Sequence, residues 1–186
     1  MKRFTELFFI LALAFSSIAA ASEAMVAVPP STITVTFTQE NVPVDASFKK
    51  FTAMIDYEPA HPLDGRANFT IDIASFDLGS PEYNKEILKP EWFDAGHFPS
   101  ATFQSTSLKA TSPTQLIASG NLTIKGKTVP VTFPVTIKDD GKSRVYDGTL
   151  QIKRNDFAIG QGEWKDTDVL ADQVTIKVHA VAAPLK

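Results

Sequence analysis

The chain has 186 residues, no cysteine, and 21 acidic against 18 basic side chains. Lack of cysteine excludes a disulfide framework, a thiol nucleophile and the acylated residue of a lipoprotein. The mild acidic excess holds no Lys/Arg cluster, which argues against nucleic acid as a partner, and the length fits one ordinary domain behind a leader.

Residues 1–21 read as a cleaved signal peptide. Lys2 and Arg3 give a basic start, Leu7 to Ala14 with Phe15 an uncharged apolar run, and Ala19-Ala20-Ala21 the small residues a signal peptidase requires. The run is shorter than the roughly 20 residues that span a bilayer. Cleavage after Ala21, export and a soluble periplasmic product are therefore expected. Residues 22–31, rich in alanine, valine and proline, are expected to be a flexible lead-in to a domain over residues 32–186.

In that domain Ile33, Val35 and Phe37 alternate with threonines, the pattern of a half-buried strand. Gln39 to Asp45 reads as a turn and Phe48 to Tyr57 as the second strand. The two prolines of Glu58 to Gly65 cannot join a ladder and mark a loop. Ala67, Phe69, Ile71 and Ile73 form the third strand. Ser80-Pro81-Glu82 then opens the one convincing helix, with serine as cap and proline at the first helical position, running to about Leu88. Further strands are expected at Ser100–Lys109, Gln115–Ile124, Thr128–Lys138, Ser143–Arg154 and Gln173–Val181. Asp156 to Ala171 is the longest irregular stretch. Eight half-apolar strands joined mostly by short turns close into an antiparallel barrel or pack as two sheets.

Signals for catalysis are missing. His61, His97 and His179 have no second ligand at metal spacing, and no nucleophile elbow or phosphate loop accompanies the scattered carboxylates. No catalytic residue, metal or cofactor is assigned. Apolar surface is the stronger signal, since Phe76, Trp92, Phe93, Phe98 and Phe103 cluster around the helix. Such rings either line the lip of a ligand cavity or close one barrel end as core.

Several words of the sequence carry a family resemblance. These are Trp92-Phe93-Asp94-Ala95, then Phe98-Pro99-x-Ala101-x-Phe103-x-Ser105, then Leu122-Thr123-Ile124-Lys125-Gly126-x-Thr128. The block from Ile152 to Trp164 and Asp172-Gln173-Val174-x-Ile176 complete the set. Together they resemble the YceI-like family of exported lipid-binding proteins, from about Thr32 to Ala182. The resemblance implies an all-β, eight-stranded, lipocalin-like antiparallel barrel with one short helical insertion after the third strand. It also implies an apolar tunnel holding an isoprenoid or quinone-like amphiphile. Its wall would comprise Phe37, Phe69, Ile71, Ile73, Phe103, Leu122, Ile124, Val131, Phe133 and Ile152. Trp92, Phe93, Phe98, Arg154, Phe157 and Trp164 would stand at its mouth.

Arg154 ends a strand beside the long loop, where it meets a polar head group or fastens the loop to a neighbouring acid. Trp164 either caps the tunnel or packs the loop outside. Three readings compete. The first is a soluble carrier of a polyprenyl chain or isoprenoid quinone, with room for transient contact with a membrane or membrane protein and for a homodimer. The second is a non-catalytic interaction domain, its barrel filled, working with a membrane redox partner. The third, an outer-membrane barrel, reverses the faces. An open lumen separates the first from the second.

Overall fold

The computed structural model describes residues 25–58, 65–139 and 141–184. The leader and most of the proline loop with His61 lie outside the described residues. Ten strand segments form one antiparallel sheet: β1 (Met25–Gln39), β2 (Val42–Phe48), β3 (Phe51–Asp56), β4 (Arg66–Asp72), β5 (Phe76–Asp77), β6 (Ser100–Ser112), β7 (Gln115–Ile124), β8 (Lys127–Asp139), β9 (Arg144–Lys153) and β10 (Leu170–Pro184). The sheet closes because β10 also pairs with β1, from Met25↔Pro184 to Gln39↔Leu170. β2 and β3 are two parts of one barrel strand, as are β4 and β5, so the closed barrel has eight strands. The short helix α1 (Pro81–Glu86) follows the third of them.

The break between β2 and β3 has a cause visible in the side-chain phase. Val44, Ala46 and Phe48 face inward at even positions, and Phe51, Ala53 and Ile55 at odd ones. Lys49 and Lys50 absorb the change of phase outside the ladder, so both flanking phenylalanines still point to the core. The expected continuous strand from Phe48 is thus corrected. The expected turn over Gln39–Asp45 also shrinks to Glu40-Asn41, both at positive φ (47° and 64°), the hairpin geometry that asparagine tolerates.

Most of the expected lead-in is strand. Residues 25–28 pair with β10, and the ladder resumes at Thr32 after a bulge that accommodates Pro29, Pro30 and Ser31. Here the Val181 amide donates to the Ser31 hydroxyl at 2.9 Å. Apolar residues 25, 26 and 28 lacked the clean alternation of Ile33 to Phe37, and the two prolines read as a stop.

The helix begins after Ser80, as the sequence implies, but the serine side chain makes no cap bond. Asn84 organises the turn instead, accepting from the Leu78 amide at 2.7 Å and donating to Asp77 at 3.0 Å. The segment after α1 folds back on itself, with the amides of Trp92 and Asp94 donating to Lys89 O. Phe93 pins it to the barrel: its ring lies 5.5 Å from Phe76 and 6.3 Å from Phe48.

β8 is paired on both sides only from Val135 onward, where its ladder to β9 begins. Among the described residues its first half pairs with β7 alone, and it carries Pro130 and Pro134, which cannot donate to a ladder.

Candidate functional site: an apolar lumen with a braced mouth

The inward faces of the strands surround a cavity of about 520 Å³, within the range of ligand sites. It runs along the barrel through both buried clusters, from Phe93, Ile152 and Val174 at one end to Leu116, Val135 and Tyr146 at the other. A barrel filled by its own side chains does not describe this lumen. Among the lining residues only Glu86 and Arg154 carry charge, with Gln39, Tyr83 and Tyr146 as further polar side chains. Burial raises the pKa of the Tyr146 phenol, with the nearby Arg144 guanidinium partly opposing it.

Phe37, Phe69, Ile71, Ile73, Phe103, Leu122, Ile124, Phe133 and Ile152 all line the cavity, as do Trp92, Phe93, Arg154 and Trp164. Three expected residues do not. Val131 pairs with Gly120, over which the Phe103 ring is folded, so that Phe103 and Phe133 present their rings to the lumen in its place. A side chain at Gly120 would put its Cβ 2.6 Å from that ring. Phe98 packs on the β7–β8 turn, against Gly126. Phe157 is wholly buried in the 3-10 turn Arg154–Phe157 that closes the end of the core.

Phe76, read from the sequence as part of the aromatic cluster around the helix, lines the cavity too, while other lining residues were passed over in the sequence, chiefly Val35, Leu108, Leu116, Ala118, Leu150 and Val178. Strand alternation marks most of them as inward. It does not say which inward residues meet open space, because that depends on how neighbouring rings fold over the small residues opposite.

The mouth lies beside α1, whose Tyr83 and Glu86 border the cavity, with Tyr83 65% exposed. Arg154 braces the opposite side. It is 2% exposed and donates to carbonyls alone: Nε to Ala171, Nη1 to Ile159 and Gly160, Nη2 to Lys165, Asp166 and Leu170, at 2.7 to 3.4 Å. The acid partner expected for it is replaced by backbone. Burial pushes its pKa down, with Asp172 partly offsetting this. One guanidinium thereby holds the long loop, and its bonds to the carbonyls of Ile159, Gly160 and Leu170 are buried ones. Gly160, at φ 66°, is required here, since a Cβ would stand 2.9 Å from Arg154 Nη1.

Lys125 ties the neighbouring parts together, its Nζ donating to Pro90 O and to Ala158 O, the latter at 2.9 Å. Its pKa is lowered, mainly by burial. The loop also carries Trp164, whose ring lies 5.4 Å from that of Trp92 at 46°. Trp164 therefore faces the cavity as part of the mouth. The indole Nε1 of Trp92 is buried and has no hydrogen-bond acceptor among the described residues.

His97 and His179, the histidines among the described residues, do not assemble a centre. His97 bonds Asp94 at 2.9 Å and His179 bonds Asp147 at 2.6 Å, each on the outer surface. Among the described residues no group of three or more His, Cys, Asp or Glu is placed to hold a metal ion.

Comparison with known proteins agrees with this architecture. The chain is 44% identical to BcnA of Burkholderia cenocepacia, whose crystal structure superposes with a TM-score of 0.79 over 82% of this chain and 96% of that one. A YceI protein of Campylobacter jejuni has the same fold at 22% identity, with a TM-score of 0.68 over 100% of this chain and 99% of that one. So does a polyisoprenoid-binding domain from Saccharophagus degradans, at 13% identity and a TM-score of 0.70 over 88% of this chain and 99% of that domain. In sequence, a UPF0312 protein of Pseudomonas putida is 30% identical over 131 residues, 67% of this chain and 68% of the relative. The model of the YceI-like domain matches residues 27–182, and the chain belongs to that family.

Proposed function

We propose that this protein is an exported lipid-binding protein that holds an isoprenoid or similar amphiphile in its barrel for carriage or storage, without catalysing a reaction. The observation that carries this reading is the apolar cavity of about 520 Å³ running along the barrel. Each isoprene unit brings about five carbons, and burial yields ~0.8 kcal/mol per methylene. A few units thus offset the cost of association with few polar contacts. The name given to the Saccharophagus degradans domain of the same fold supports the ligand class. The basic and apolar leader supports export to the periplasm. Exposed Tyr83 at the mouth supports brief contact with the membrane from which a lipid is drawn.

The test is to express the full chain in a bacterial host, recover it from the periplasm, extract it with organic solvent and identify retained lipid by mass spectrometry. A polyisoprenoid or isoprenoid quinone is expected at near-stoichiometric yield. Ala118→Trp, which fills the lumen from β7, is expected to leave a folded barrel with an empty extract. A lipid-free extract from the unaltered protein, together with no binding on titration, rejects the reading.

A further inference from the structure

Building on the lipid-binding reading, we infer that the lumen is blind at the end opposite α1, with Tyr146 at its floor, and that this floor selects lipids whose tail is no longer than about four isoprene units. A longer polyprenyl chain does not fit.

The floor shows where successive inward residues stop bordering open space. Ile55 of β3, Val135 of β8 and Val178 of β10 line the cavity. Two positions further toward the end opposite α1 stand Tyr57, Ile137 and Ala180, which are buried and border no part of it. Tyr146 marks the boundary: it lines the cavity and pairs with Ile137 on one side and Ala180 on the other. Behind this layer the barrel end is fastened. Ala182 has no exposed surface, and Arg144 donates from Nη1 to Tyr57 O at 2.7 Å and from Nε to Asp139 at 2.9 Å, tying the segment after β3 to the end of β8.

Volume converts this shape into a length. An apolar cavity of about 150 Å³ holds one benzene ring, so about 520 Å³ takes roughly twenty carbons, or about four isoprene units. The tail enters from the α1 end, where exposed Tyr83 borders the cavity, and its tip meets Tyr146. A lumen open at both ends would let a long chain thread through. In a blind one every further unit stays outside the mouth, in water, and forfeits the burial of its five carbons, which costs more than about tenfold in affinity per unit.

A series of all-trans prenols of three, four, five, six and nine isoprene units tests this. Excess phosphatidylcholine vesicles holding them at equal mole fractions would be equilibrated with protein recovered from the periplasm. The vesicles are then floated away and the prenols retained by the protein quantified by mass spectrometry. Every tail starts from an apolar medium, so the comparison reports fit. The three- and four-unit prenols are expected at comparable levels, and those of six and nine units at least about tenfold lower. Tyr146→Ala removes one ring from the floor and is expected to move this step up by about one unit. Ala118→Leu narrows the lumen and is expected to move it down, so the test stands even if Tyr146→Ala does not fold. Retention of the nine-unit prenol equal to that of the four-unit one, or a step that neither variant moves, overturns the inference while leaving lipid binding intact. Retention of none of the series removes both.

Discussion

Arg154 shows how one residue gives shape to a segment with little regular structure. Its planar fork reaches carbonyls spread from Ile159 to Ala171, positions that no helix or strand ladder would satisfy together. Arg154→Met removes the charge and strands those acceptors. At ~1 kcal/mol or more per buried carbonyl left without a donor, the loss exceeds ~3 kcal/mol. For a domain of this size that lowers Tm by roughly 6–12 °C in a thermal melt. Arg154→Lys is expected to restore little of it, because an ammonium has three donors and no fork. The sequence marked Arg154 as important without revealing its partners, since side-chain neighbours can be read along a chain and carbonyl acceptors cannot. Trp92 was legible as an aromatic at the lip. That its nitrogen lacks an acceptor emerges only from three-dimensional packing.

Among the elements, the strands with strict period-two alternation were legible almost to the residue. β7 spans Gln115–Ile124 as the pattern implies, and β8 and β9 differ from expectation by a residue at each end. Sequence failed where the period slips: at Lys49-Lys50, and at Pro29-Pro30, where a bulge lets the strand continue through residues that normally end one. The first half of β8 is another departure from regular pairing. Among the described residues it has β7 on one side and no strand ladder on the other, an edge that invites a second chain to add on. Pro130 and Pro134 deny that edge two amide donors. Replacing both with valine is expected to shift the protein toward larger species in size-exclusion chromatography at high concentration. An unchanged elution volume would remove this role from the prolines.

For the molecule as a whole, the closed barrel follows from eight strands of alternating polarity, and the family resemblance supplied the rest of the architecture. The lumen was legible only as an apolar face. Its volume depends on small residues such as Gly120 and Ala118 standing opposite large rings, a relation set by register between strands and not by order along any one of them. An unfilled apolar interior forfeits dispersion contacts that a packed core would make. Whatever occupies it supplies them and also binds the native state alone. Loading at 100 times the dissociation constant is therefore expected to add about 2.7 kcal/mol, visible as a rise in Tm that scales with ligand concentration. A Tm unaffected by saturating lipid would contradict this. The open bore thus makes any lipid bound there a replaceable piece of the protein's own core. A molecule built this way would persist when its lipid is plentiful and be cleared by proteases when it is scarce, so that its abundance keeps pace with supply without any separate sensor.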